Sequence, residues 1–466
     1  MFLPICERKL FIEKSFVLKL AREYVDRHEE KYMVAIVRVQ EAVKTPIEKA
    51  PEPNMGGDYI PKERYISPEF MKLEWERMWT KVWLMGCREE EIPETGDYVT
   101  QDIGPESLLI VRGEDGKART FYNVCNHRGN QVKFDQTGNS RTLQCAYHFW
   151  EYDLTGKLIS VPDEQDFTQG CPKGELSLKP VKTDTWGGWV WFNLNPDAEP
   201  LRDYLGMVPE HLDPYHFEKM HLVLNVTMEW DCNWKASVDA FNEIYHVQCI
   251  HPELSYTIDD VDIQIDLYER HNRYLVPFKT YSPRLGENLQ EVPEHLAEQI
   301  SAIGMDPSEF AGRVSDIRRA VQVYKRQNEK KLGFDYSELN DDQLSDDYHY
   351  CIYPNLTFNI MAESFGLFRQ RPHPTDPNKM FFDVYRVVHI PEGKPVPPLP
   401  DHEQHKHGER SLGLVLDQDS VNLPHVQKGM QSAAFKGLWI SSQERRIRHN
   451  HKTLMDYING RYSNDA

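Results

Sequence analysis

The sequence predicts an α+β chain in which a compact β-rich domain, residues 85–197, precedes a larger domain of strands and helices, residues 198–466. From Asp97 onward, apolar and polar residues alternate in short runs parted by turn residues, the period of half-buried strands. The run Trp186-Gly-Gly-Trp-Val-Trp-Phe-Asn193 then closes that region with aromatics suited to a pleated, buried surface. Beyond residue 198 helix-like stretches, above all Asn233–Pro252, mix with strand-like runs at Tyr353–Ile360 and Phe382–His389.

Residues 1–54 read as an extension and linker: a charged, helix-like stretch at Phe16–Val39, then Pro46, Pro51 and Pro53. Residues 55–84 form a helical lead-in that packs on the larger domain. Phe70, Leu73, Met78 and Trp79 recur at helical spacing between Tyr65 and Trp83, with Ser67 as N-cap and Pro68 in the first turn. In the β-rich domain the strands are Tyr98–Thr100, Leu108–Arg112 and Thr120–Val124, with a turn at Gly113–Lys117. Residues 254–347 are acidic with helical pieces such as Val314–Asn328, and Phe382–His389 alternates as a half-buried strand. Pro391–His407 is a loop whose His402, His405 and His407 face solvent.

A formal charge of −19 over 466 residues argues against nucleic acid or an anionic membrane surface as partner, since both call for basic patches. No apolar run is long enough to span a membrane, and Glu7, Arg8, Lys9, Glu13 and Lys14 interrupt any signal-peptide core. Eight cysteines at irregular spacings suggest no disulfide framework, which places the chain in a reducing cytoplasm.

Two constellations carry chemistry. Cys125-Asn-His127 and Cys145-Ala-Tyr-His148 each offer one thiolate and one imidazole from a short loop. Zinc competes for such a set, but its sites more often pair Cys with Cys and His with His. Mixed loops suit a [2Fe–2S] cluster whose irons differ, one held by both cysteines and one by both histidines. Two neutral imidazoles make that cluster less negative and raise its potential, to roughly −150 to +300 mV. Four unrelated core residues are the plain alternative. In the second stretch, Glu243 and His246 lie one turn apart on a helix face, and Pro252 puts His251 in the turn past the helix end. Two imidazoles awaiting a carboxylate are the skeleton of a non-haem iron(II) facial triad; two partly buried structural histidines are the alternative.

On these residues the chain resembles the large (α) subunit of Rieske non-haem iron ring-hydroxylating oxygenases, from about Tyr65 to the C-terminus. Cys125-Asn-His127-Arg128-Gly129 and Cys145-Ala-Tyr147-His148 match the Rieske motif, and Asn233-Trp234-Lys235 with Glu243-x2-His246-x4-His251 match the catalytic helix. The resemblance implies a Rieske [2Fe–2S] domain followed by a catalytic domain with an antiparallel sheet surrounded by helices. It implies His246, His251 and a distant carboxylate as ligands to a mononuclear Fe(II). The family's acid lies eight positions before a Gln, a basic residue and Gly; Gln427-Lys428-Gly429 selects Asp419, with Asp417 as fallback. Asp239, Ala240, Phe241 and Val247 fall by the substrate pocket, and residues 254–347 either roof it or form a solvated insertion. Two positions depart from the pattern. Phe149 stands where the family has Gly, which bears on cluster potential and partner docking, and Ala240 stands where Asn is common.

By the same resemblance the chain is a terminal oxygenase that activates O2, with electrons from NAD(P)H passing through a separate reductase or ferredoxin and then the cluster. Ring cis-dihydroxylation of a small aromatic substrate is the first expectation, and monohydroxylation or demethylation, including of quaternary ammonium compounds, the second. An iron–sulfur electron carrier would need only the cluster ligands and leave the second motif idle. The family's assembly is a head-to-tail trimer, with or without a small β subunit. In it Glu243 bridges His246 to the neighbouring subunit's His148.

Overall fold

The computed structural model describes residues 49–286 and 289–462. The stretch Phe16–Val39 therefore lies outside the described residues. Ser67 caps helix α1, Pro68–Glu74: its hydroxyl accepts the Phe70 amide at 3.1 Å, with Pro68 in the first turn. The lead-in is not one helix to Trp83. After Glu74 it widens into a π-turn, Trp75–Trp79, that buries Met78 and Trp79.

Seven strands form the first sheet, in the order Leu84–Arg88, Trp189–Asn193, Pro180–Trp186, Ala118–Tyr122, Glu106–Arg112, Asp97–Ile103 and Thr137–Asn139. Every pairing is antiparallel. Leu108 to Val111 are fully buried, so the apolar run becomes a central strand. Gly187 and Gly188 make the two-residue hairpin between Trp186 and Trp189 with φ of +63° and +75°, a twist that side chains resist. A three-stranded sheet, Leu143–Gln144, Glu151–Tyr152 and Leu158–Ser160, carries the second cysteine loop. Its core includes Phe121, Leu143, Trp150 and Tyr152, packed around Cys125 and Cys145.

The second sheet has eight strands: Gln264–Leu267, Asn272–Val276, Asp347–Ile352, Leu356–Met361, Ser364–Pro372, Met380–Val388, His221–Trp230 and Glu403–Lys406. It is antiparallel, as the resemblance implied, except for the edge strand Glu403–Lys406, which runs parallel to His221–Trp230. Helices border it: α2, Trp234–Ala240; α3, Val247–Ile250; α4, Ile317–Gln327; α5, Leu414–Met430; and α6, Arg445–Ile458. Helix α4 lies inside the expected 314–328 stretch. It packs with Leu296, Ile300 and Phe310 into a separate apolar core, so residues 254–347 are not a merely solvated insertion.

Two expectations need correction. Met380–Val388 is not half-buried: only Arg386 is exposed, because the first sheet covers the other face. Arg369 donates from there to the carbonyls of Met85 and Gly86, Trp189 meets Tyr385 edge-on at 5.0 Å, and Arg369 and Arg371 both pair with buried Asp383. Burial opposes ionisation of Asp383, yet the two guanidinium groups hold its carboxyl below the usual range. His402, His405 and His407 do not face solvent freely either. His402 bonds Thr227 and Gln136, His405 bonds Glu403, and His407 bonds the Asp231 amide and the Ser420 carbonyl.

Candidate metal centres

The two Cys–His loops are built alike. In the first, the Cys125 amide donates to the Asn130 carbonyl and the Gly129 amide to the Cys125 carbonyl. In the second, Cys145 donates to Trp150 and Phe149 to Cys145. The fifth residue of each loop has left-handed φ: +76° at Gly129 and +56° at Phe149. Glycine adopts this without strain, whereas an L side chain there costs on the order of 1–2 kcal/mol.

The side chains of Cys125 and Cys145 are buried in the same small core. The rings of His127 and His148 meet edge-on at 4.5 Å, and His127 stacks on Trp150 at 4.7 Å. Nδ1 of His127 is buried with no hydrogen-bond partner, and burial, helped by His148 and Arg128, lowers that imidazole's pKa. An orphaned buried ring nitrogen, on a loop that also carries a buried thiol and against the histidine of the second such loop, fits a [2Fe–2S] cluster. Tyr152 lies 3.3 Å from Cys125 Sγ, and Asn130 Nδ2 donates to Cys145 Sγ at 3.7 Å. Burial and the Cys125 contact raise the Tyr152 pKa far enough that it stays a phenol, able to donate.

The second centre gathers distant segments. Asn233 caps α2, its Oδ1 accepting the Lys235 amide, while its own amide donates to Gln427 Oε1 on α5. The expected continuous helix through Glu243 and His246 does not form. Asn242 donates from its side chain to the Val238 carbonyl, the group its backbone amide would have bonded, and α2 ends. Glu243 and His246 lie in the irregular turn that follows. They still meet: Glu243 Oε1 lies 2.5 Å from His246 Nδ1 and Oε2 accepts the His246 amide at 3.1 Å. His251 is the residue just past α3, as Pro252 required.

Asp419, on α5, stands 3.1 Å from His251 Nε2 and 3.7 Å from His246 Nε2. One ligand atom from each of His246, His251 and Asp419 lies within 4.8 Å of the others. His251 Nδ1 is held by Gln418 Oε1 at 2.6 Å. Burial works against a charged His251, but the hydrogen bonds of Asp419 and Gln418 and the negative charges of Asp419 and Glu253 outweigh it and raise the pKa. The site thus draws positive charge towards Asp419, which suits a cation held by two imidazoles and one carboxylate. Asp417 is not brought to the two histidines: its carboxylate accepts the Leu412 amide and the Ser411 hydroxyl at the start of α5.

The expected pocket residues divide. Asp239 accepts from Tyr65 at 2.5 Å and lies 3.3 Å from His451, beside a cavity of about 10 Å³ lined also by Trp234, Lys235 and Tyr353. Phe241 packs on Phe368 and Phe382, and Ala240 against the main core. Ala240 and Phe241 thus serve packing, while Asp239 lines that small cavity and is held by Tyr65 and His451. Val247 instead joins Ile244, Ile258 and Tyr274 in an apolar cluster beside the histidine turn. Gln418 went unnoticed in the sequence, although its place next to Asp419 was a signal; Tyr65 and His451 offered none.

Residues 217–460, more than half of the chain, match the family described as ring hydroxylating alpha subunit (catalytic domain). The chain belongs to that family. Residues 82–178 of this α subunit also match the Rieske [2Fe–2S] domain, so its cofactors are a Rieske cluster and a mononuclear iron. It is 31% identical over 207 residues to the glycine betaine monooxygenase oxygenase subunit of Pseudomonas aeruginosa, which covers 43% of this chain. The match spans 47% of that relative, about half its length. With biphenyl dioxygenase subunit alpha of Paraburkholderia xenovorans the identity is 23% over 81% of each chain. A quaternary ammonium Rieske monooxygenase solved with L-carnitine superposes with a TM-score of 0.63 at 18% identity, over 88% of this chain and 99% of that one; the likeness is one of fold. No helix among the described residues is long and apolar enough to cross a membrane.

The Tyr152 contact makes a first prediction. A phenol donating to a cluster thiolate favours the reduced, more negative state. If that preference is about 1 kcal/mol, a one-electron couple moves by roughly 40 mV. Tyr152→Phe should lower the cluster potential by that order in protein-film voltammetry, and an unchanged potential would show that the hydroxyl does not donate to sulfur.

Proposed function

We propose that this chain is the terminal oxygenase of a multicomponent system that hydroxylates a quaternary ammonium substrate with O2, leading to loss of an alkyl group from nitrogen. The likeness to a glycine betaine monooxygenase carries the substrate class. Aromatic ring cis-dihydroxylation, the first expectation from sequence, becomes the second reading; the longer but more distant likeness to a biphenyl dioxygenase keeps it in view.

In this reading Cys125, His127, Cys145 and His148 hold the cluster, and His246, His251 and Asp419 hold the iron. When bound, the iron supplies open coordination positions for O2, and the cluster supplies electrons that originate in NAD(P)H and arrive through a reductase or ferredoxin. The protein's part is orientation. Glu243 takes the Nδ1 side of His246 and Gln418 that of His251, so each imidazole turns Nε2 towards Asp419 and would offer it to the iron. Copies of the chain assemble head to tail in a closed trimer, with or without a β subunit, so that one copy's cluster serves the next copy's iron.

The test is O2 uptake with a surrogate reductase system on glycine betaine, carnitine and biphenyl. Uptake coupled to formaldehyde or a released amine, with no diol from biphenyl, is the expected result. A cis-diol with no turnover of the amines would replace this reading by the second.

A further inference from the structure

Helix α6 turns Arg446 into the protein, where it is 0% exposed. Its Nε donates to Asn272 Oδ1 at 2.6 Å and its Nη2 to His349 Nδ1 at 3.1 Å, while Nη1 is buried without a hydrogen-bond partner. Arg88 and Arg273 are as fully buried, and each is paired with a carboxylate, Glu90 and Asp266 respectively. Among the described residues no ion pair includes Arg446. Burial brings its pKa down to about 10, which still leaves it charged at neutral pH. Asp347, on the strand of His349, is no counter-ion: burial pushes its carboxyl up to about 8, and one oxygen accepts the Ile360 amide at 2.9 Å. Neutral donors could make both bonds to Asn272 and His349, so holding the strands does not account for the charge. An unpaired buried charge is costly to the fold, and a bound anion would remove that cost.

We infer that Arg446 is a specificity-determining residue whose Nη1 takes the carboxylate of a substrate bound beside the metal turn. The inference rests on the quaternary ammonium reading above and narrows it to betaines, which carry an anionic group close to the quaternary nitrogen. The place of the guanidinium supports it. It lies over the Tyr274 ring at 4.3 Å, and Tyr274 stacks at 4.2 Å on His349, its partner across the two strands. Tyr274 also packs in the apolar cluster of Ile244 and Val247, which stand two residues before His246 and one after it. The cation is therefore one aromatic ring away from side chains of the histidine turn. Methyl groups on nitrogen suit that apolar cluster and a carboxylate suits the guanidinium, so a short zwitterion matches the pair. Choline has the same trimethylammonium head with a hydroxyl in place of the carboxylate. It would leave the buried charge unpaired, and a site built in this way rejects it.

The test is the ratio of kcat/KM for glycine betaine to that for choline, measured on the full-length, iron-loaded protein with a surrogate reductase. The wild type should prefer glycine betaine by at least a hundredfold. Arg446→Gln should bring that ratio down by at least tenfold, chiefly by raising the KM for glycine betaine. Arg446→Lys keeps the charge but loses the planar fork, and should retain more of the preference. A purely structural arginine would lower both substrates in parallel, and an unchanged ratio in Arg446→Gln overturns the inference. So does a wild type that turns over choline as well as glycine betaine, a result that needs no variant to fold and leaves the quaternary ammonium reading in place. Turnover of neither amine by the wild type would remove that reading and the anchor with it.

Discussion

Asp419→Ala should leave the protein with one fewer iron per chain and no detectable product, while the cluster's absorption and reducibility stay intact. Among the described residues Asp419 is the one carboxylate that contacts both His246 Nε2 and His251 Nε2, and it is buried. A pair of neutral imidazoles without an anionic third ligand binds a divalent iron weakly, and turnover should fall by at least a thousandfold, about 4 kcal/mol in activation terms. Asp417→Ala is the matched control. It removes acceptors for Leu412 and Ser411 at the start of α5, and should cost about 1 kcal/mol of stability while keeping the iron. Iron analysis and the cluster spectrum of both variants decide the matter: iron lost from Asp417→Ala but kept by Asp419→Ala would reverse the assignment.

Glu243→Gln should keep all its iron and a reducible cluster, yet lose at least tenfold in turnover. The carboxylate is mostly buried and serves His246 twice, at Nδ1 and at the backbone amide. An amide in its place can still accept from one of these, but its NH2 end would face the other donor, and the charge that favours the imidazole's bound tautomer is gone. Each oxygen has a second lone pair, and the proposed assembly uses one for His148 of a second copy. Single-turnover oxidation of the cluster should therefore slow more than substrate binding weakens. Turnover close to normal in this variant would eliminate the bridging role.

Much of the centre was legible because its contacts are local. Cys125 and His127, or Cys145 and His148, share one loop, so spacing alone brings a thiol and an imidazole together. Pro252 likewise ended α3 where it had to, leaving His251 just beyond. Glu243 and His246 were paired correctly but for an incomplete reason, since a side-chain amide at Asn242 broke the helix and a turn made the contact instead. The fold class was legible from period, although the covering of Met380–Val388 on both faces was not: alternation of residue types cannot tell water from a second sheet carrying Trp189.

What the sequence determined by itself is therefore the chemistry of each ligand and its nearest partners, because bonded neighbours stay within a few ångströms whatever the rest of the chain does. Tertiary structure decided the rest. It set Asp419, and not Asp417, against His251 through a contact between residues 168 positions apart. It turned Asp239 towards Tyr65 and His451, and Phe241 into the core. The physical reason is that α2 has only seven residues, and which way its faces point depends on what the helix packs against. Packing against the sheet, α5 and α6 sets that direction, and no local pattern records it.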